Sequence, residues 1–148
     1  AWVATTCSPR TKEYVIAKSN PDLIVDYTSQ KWDEDVPELK GIDAVFEAVA
    51  DDGFERAKKI VKEGGSFAAI ATFDAGFDPT AHQPAFQWAA FMCLKNDVKE
   101  QDELAGLLAD KKLTLDVEET FPFTSEGVQA AFAKQKGGKS KGKNVVVL

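Results

Sequence analysis

With 148 residues, 16.1 kDa, 44% hydrophobic and 28% charged residues, the chain is long enough for one domain with a real core and too short for two full ones. A net charge of −6 argues against nonspecific nucleic-acid binding as the main activity. The longest apolar runs, Phe67 to Ala71 and Trp88 to Leu94, fall far short of the roughly 20 residues a transmembrane helix needs. The expectation is a soluble globular domain with no nucleic-acid partner and no transmembrane segment.

The charge is unevenly placed: residues 134 to 148 hold five lysines and no acid, which leaves −11 on the rest. Cys7 and Cys93 stand far apart without a neighbouring histidine pair, so neither a disulfide framework nor a zinc site is indicated. A reducing, intracellular setting is the simplest reading. The chain opens on Ala1-Trp-Val-Ala-Thr-Thr6, which already reads as a strand and predicts a fragment of something longer.

In chain order, Val3 to Thr6 is β-branched and apolar, and Ser8-Pro9 follows as a helix cap with proline at the first helical position. Tyr14, Val15 and Ala17 supply the apolar face of a helix ending near Lys18. Asn20-Pro21-Asp22 then turns the chain into Leu23 to Asp26, an apolar run suited to a buried parallel strand. A charged connection, Ser29 to Lys40, leads to a third strand at Ile42 to Phe46. Phe54, Ala57, Ile60 and Val61 fall on one helical face, Glu63-Gly64-Gly65 stops that helix, and Ser66 to Ala71 is a fourth strand. This alternation implies βαβ units and a doubly wound parallel sheet.

Beyond it, Asp74 to Gln87 reads as a loop, and Trp88 to Leu94 as core or subunit interface. A helix spans about Val98 to Ala109, and Leu113 to Thr120 is extended. Pro122 precedes a second helix capped by Thr124 or Ser125, with Val128, Ala131 and Phe132 facing inward. The chain closes on a final strand, Val145 to Leu148.

In an open parallel sheet a ligand sits beyond the carboxyl ends of the strands. Those ends are Thr6 to Arg10, Asp26-Tyr27, Glu47 to Ala50 and Ala71 to Phe73. No glycine-rich turn links a first strand to a helix, so a nucleotide-binding fold here requires its phosphate loop upstream of Ala1. The first strand end then corresponds to a second strand, where NAD enzymes place an acid against the ribose 2′-hydroxyl and a 2′-phosphate requires donors and positive charge. Thr6, Cys7, Ser8 and Arg10 contain no acid and favour NADPH over NADH, although Ser8 also reads as a simple helix cap and Arg10 as a solvated charge. Tyr27 reads equally as an adenosine-side contact and as a half-buried aromatic. Lys139, Lys141 and Lys143 read as phosphate contacts or as a solvated loop. His82 has no carboxylate, serine or cysteine partner in sequence, and no proton donor or nucleophile emerges, so the catalytic residues stay unassigned.

Val3 to Ser8, Ile24 to Tyr27, Asp43 to Phe46, Lys62 to Phe67, Glu119 to Phe123 and Gly138 to Lys143 resemble, in this order, the medium-chain dehydrogenase/reductase superfamily in its zinc-independent quinone oxidoreductase branch. Trp88 to Met92 with Thr120-Phe-Pro-Phe123 looks nearest to the reticulon-interacting mitochondrial oxidoreductases, with plastid envelope homologues as relatives. The resemblance implies an α/β, Rossmann-like domain lacking its first strand and glycine-rich loop. It also implies an NADPH-dependent reductase of quinones or enones, with direct hydride transfer and no metal. By the same resemblance Ser8 and Tyr27 contact the adenosine phosphate end, with Arg10 as a basic neighbour. Ala48, Val49 and Ala50 line the nicotinamide ribose, and Lys141, Gly142 and Lys143 approach the cofactor. Mitochondrial or plastid location also follows from it, and the expected partners are a quinone or enone substrate and either a second copy, as a homodimer, or a larger complex.

Two departures stand out: the GroES-like amino-terminal domain is absent from these residues, and Ala48, Ala50 and Asp51 replace the Asn or Thr with Gly of the relatives. They leave open a second class, a reductase-derived subunit or assembly factor without turnover in a larger complex.

Overall fold

The computed structural model describes residues 1–49, 52–71, 86–93 and 95–148. The chain forms two compact units, Ala1–Leu94 and Lys95–Leu148. All strand pairs described are parallel, in the mixed α/β, Rossmann-like class expected.

In the first unit, β1 (Ala4–Cys7) pairs with β2 (Leu23–Asp26) in the register Ala4 to Leu23 and Cys7 to Asp26. Between them runs α1 (Pro9–Ser19), whose start is set by extended Ser8 and the fixed backbone of Pro9. Asn20 ends it in the left-handed region at φ 40°, donating its N–H to the Ile16 carbonyl over 3.0 Å. Asp22 then reaches back to accept the Val3 N–H at 2.7 Å. Unlike the expected apolar face, α1 buries no residue: Tyr14 and Val15 are partly covered and Ala17 is exposed.

A separate ladder holds β3 (Ile42–Glu47), β4 (Val61–Ala69) and β5 (Phe86–Phe91) in that order. The helix between β3 and β4, α2, covers only Gly53–Ala57, and Val61 to Gly65 belong to the strand rather than to a continuing helix. The reason is pairing: Gly41 and Ile42 both donate to the Ile60 carbonyl, and Ile42 pairs with Val61, so β3 captures the segment before the glycines. A side chain on Gly65 would lie 2.8 Å from the Asp43 carbonyl, which makes glycine necessary where the register shifts. In the doubly wound order 3-2-1-4-5-6, β2-β1 and β3-β4-β5 match positions 3-2 and 4-5-6. No strand among the described residues fills position 1.

Two apolar clusters hold this unit. Phe54, Ala57, Phe67, Ala69, Phe86 and Ala89 pack beneath β3-β4-β5, with the Phe54 and Phe67 rings edge to face at 5.0 Å. Val25, Val36, Leu39 and Ile60 form the second cluster, against which Ala4 and Leu23 of one ladder and Ile42, Val45 and Val61 of the other pack. Leu39 reaches it from a single 3-10 turn, Pro37–Leu39. In the same connection Asp33 is only 2% exposed. Its carboxylate accepts from Arg56 Nε and Lys59 Nζ, each at 2.7 Å, and the Arg56 guanidinium lies 4.2 Å over the Trp32 ring. Burial pushes Asp33 up, but the hydrogen bonds from Lys59 and Arg56 outweigh it and bring the carboxyl down to about 2.

The second unit starts with α3 (Val98–Ala109), capped by Asp97, which accepts the N–H groups of Lys99 at 2.9 Å and Glu100 at 3.2 Å. None of its residues is buried. β6 (Val117–Pro122) and β7 (Lys143–Val147) pair through Thr120 and Val145, and α4 (Ser125–Lys136) crosses between them. Thr124 is its cap, accepting the Gly127 N–H at 3.1 Å. Helix α4 meets its sheet through buried Gly127 and Ala131, one turn apart. A side chain at 127 would come within 2.1 Å of the Pro122 carbonyl. This close approach turns Phe132 outward, 72% exposed, against the inward orientation expected of it. Among the described residues no helix is long and apolar enough to cross a membrane.

Candidate functional site

The β1–α1 junction places the first candidates. Ser8 leaves β1 just past buried Cys7 and stands at the amino end of α1, yet its hydroxyl accepts no helix N–H. It lies instead 3.3 Å from the Thr11 hydroxyl, which also reaches the Ser8 carbonyl at 3.2 Å. The simple-cap reading of Ser8 therefore does not describe its side chain. Two hydroxyls converge at this helix start, and Arg10 is exposed on its first turn. Hydroxyl donors and an exposed arginine on one helix turn are groups that can hold an anion.

The adjacent strand end carries the contrast. Cys7 pairs with Asp26, so Ser8 and Tyr27 leave neighbouring strands one residue beyond a matched position. Tyr27 is 58% exposed rather than half-buried. Asp26 brings an acid beside the acid-free end of β1, but its carboxylate is turned onto Thr28, accepting the N–H at 2.9 Å and the hydroxyl at 2.6 Å. The Thr28 hydroxyl, then its N–H, hold this carboxyl below the ordinary range. Register thus brings Ser8, Arg10 and Tyr27 to one end of the β1-β2 ladder.

At the end of β3, Glu47 is buried and Ala48 and Val49 are exposed. The Glu47 carboxylate accepts the Val49 N–H, which folds the turn back on the strand. Ala50 and Asp51 lie outside the described residues, as do Thr72, Phe73, His82 and the segment Asp74 to Ala85.

In the second unit, Lys141 and Lys143 are exposed and Gly142 partly covered. The backbone N–H groups of Lys141 and Gly142 both donate to Glu118 Oε2, the latter at 3.2 Å. Lys134 Nζ lies 3.3 Å from the other Glu118 oxygen and also contacts Glu119. The Lys141 N–H, ahead of the Gly142 N–H and the Lys134 ammonium, lowers the Glu118 pKa. The loop is thus a self-satisfied structure rather than a loose string of lysines.

Thr11 and Glu118 are participants that residue patterns do not reveal, and Asp26 and Glu47, though at the strand ends, have no role legible there. Thr11 and Asp26 carry local signals, a hydroxyl three residues after a cap and an Asp-x-Thr turn. Glu118 meets its loop across 23 residues and has no local signal. Among the described residues no group of three or more His, Cys, Asp or Glu side chains is placed to hold a metal ion. Those residues do not fit a resident zinc.

A family model described as zinc-binding dehydrogenase matches residues 21–146. No curated protein matches the chain. Among solved structures, the quinone oxidoreductase of Coxiella burnetii is 24% identical with a TM-score of 0.81, over 99% of this chain and 44% of that one. A quinone oxidoreductase of Pseudomonas syringae pv. Tomato DC3000 is 18% identical with a TM-score of 0.73, over 98% and 48%. The CurF ER cyclopropanase of the curacin A biosynthetic pathway is 23% identical with a TM-score of 0.77, over 99% and 47%. The chain spans less than half the length of each. At such identities the likeness establishes the fold, and one fold serves different chemistries.

Proposed function

Because the chain belongs to the zinc-binding dehydrogenase family, we propose that it is the cofactor-binding portion of an NADPH-dependent quinone or enone oxidoreductase that works by direct hydride transfer without a metal. In this reading the 148 residues are one part of a Rossmann-like domain, and a GroES-like domain outside them forms the other wall of the cleft. The observation that carries the NADPH assignment is the acid-free end of β1, where the Ser8 hydroxyl accepts no helix N–H and faces the Thr11 hydroxyl.

Bound NADPH supplies the hydride that reduces the substrate's conjugated bond. The chain's part is to bind and orient. Ser8 and Thr11 donate to the 2′-phosphate, Arg10 adds charge at the same helix end, and Tyr27 covers the adenosine side. Ala48 and Val49, in the turn that Glu47 anchors, follow the ribose, and Ala50 is the third residue assigned to it. Asp26, tied to Thr28, is withheld from the phosphate it would repel.

Titrating the whole protein with NADPH and NADH tests this. Preference for NADPH is expected, and Arg10→Glu should weaken NADPH by about tenfold to a hundredfold while leaving NADH nearly unchanged. Preference for NADH, or no binding of either, overturns the assignment.

A second reading has its own observation. The N–H groups of Val49, Lys141 and Gly142, candidate cofactor donors, are already satisfied by Glu47 and Glu118. That favours a reductase-derived subunit or assembly factor without turnover. Absence of NADPH oxidation across a quinone panel, together with residence in a large assembly, would support it, and ready turnover would exclude it.

A further inference from the structure

We propose that the backbone N–H groups of Lys141 and Gly142 form an anion nest for a phosphate or carboxylate group, and that Glu118 is its built-in occupant, which an external anion must displace. As regulation of a cofactor phosphate contact this rests on the reading above; as an anion site it can be tested apart from it.

Two consecutive N–H groups converge on one oxygen, Glu118 Oε2, which is the geometry of an anion-holding concavity. The nest is braced on both sides. Lys143 donates its N–H to the Asp116 carbonyl at 2.7 Å, and Asn144 Nδ2 donates to Ser140 Oγ at 2.9 Å and to Gln135 Oε1 at 3.0 Å. Gly142 is required at the bottom, since a side chain there would come within 2.4 Å of the Asp116 carbonyl. Lys134, from α4, reaches the same carboxylate, and Lys139, Lys141 and Lys143 line the loop. An anion arriving here meets both N–H groups already used by the Glu118 carboxylate.

Glu119 provides the internal control. It is the neighbouring acid, contacts the same Lys134, and accepts neither loop N–H among the interactions described. Glu118→Gln leaves a weaker, neutral amide acceptor in the nest, and Glu119→Gln removes the same charge while the Glu118 carboxylate stays in place. Glu118→Asp keeps the charge and withdraws the carboxylate by one methylene.

The experiment is titration of the whole protein with inorganic phosphate, followed through the amide resonances of Lys141 and Gly142, with dispersed spectra showing that each variant is folded. E118D and E118Q should bind phosphate about tenfold more tightly than the parent at these two amides, and E119Q should match the parent. Equal tightening in E119Q and E118Q would overturn the proposal, because charge rather than occupancy would then be responsible. So would two amides that respond to phosphate in no folded variant. A parallel NADPH titration separates the readings. Tightening of NADPH in E118D along with phosphate supports both. Phosphate entry with NADPH unchanged supports the nest and removes Lys141 to Lys143 from the cofactor reading.

Discussion

Asp33 sits in a connection that reads only as charged, yet it is among the most deeply buried polar side chains described. Its two cationic partners differ: Arg56 is largely covered, while Lys59 remains about half in solvent. Removing the acid takes the 2.7 Å partner from the largely covered Arg56 guanidinium, which keeps the longer contact at 3.7 Å to exposed Asp52, and the loss of a buried ion-pair partner costs about 3–5 kcal/mol at its full value. Asp33→Asn keeps the shape and some hydrogen bonding, so a loss of about 2–3 kcal/mol in urea unfolding is expected. A change under about 0.5 kcal/mol would show the network to be incidental. The pH dependence follows in sign. The folded carboxyl, at about 2, lies below its ordinary value of 3.8, so its stabilisation is present above about pH 4 and is lost as pH falls toward 2. Parent and Asn variant should therefore differ most at neutral pH and converge in urea midpoint near pH 2.

The helices show which contacts carry each element. Helix α4 depends on a cap and a close approach: Thr124→Ala should cost about 1 kcal/mol, and Gly127→Ala about 1–3 kcal/mol, because its new methyl meets the Pro122 carbonyl. Gly106 in α3 has open space around it, so Gly106→Ala should raise stability by about 0.5–1 kcal/mol. Thermal unfolding of the three variants checks the opposite signs. The bounds of α3 were legible because helix-forming residues from Val98 onward continue to Ala109 without a breaker other than Gly106. The strand order β1, β2, β3 was legible from β-branched runs between turn residues. The end of α2 was not, because helical spacing of Phe54, Ala57, Ile60 and Val61 is blind to β3 pairing with Val61. Phe132 departs from its expected orientation for a related reason: periodicity names an apolar face, but the small pair Gly127 and Ala131 selects the one that packs. At the candidate site, the absent acid and Ser8 were legible, whereas the partners that satisfy Asp26, Glu47 and Glu118 depend on folded geometry.

Across the whole molecule, large apolar side chains remain in solvent in both units, among them Trp2, Phe46 and Trp88 in one and Leu104, Phe123 and Phe132 in the other. Where such side chains are contiguous, they form the apolar patches that proteins use for association. A polypeptide of these 148 residues alone should bind the dye ANS at neutral pH with its secondary structure intact. An absence of fluorescence enhancement would show those faces to be covered.

The ladders β1-β2 and β3-β4-β5 share no backbone hydrogen bond among the described residues and meet in the cluster of Val25, Val36, Leu39 and Ile60. Apolar contact of this kind is entropic near room temperature and fades on cooling. The seam between the ladders is therefore a cold-sensitive joint: chilling would let the two halves of the unit slip before either ladder loses a rung.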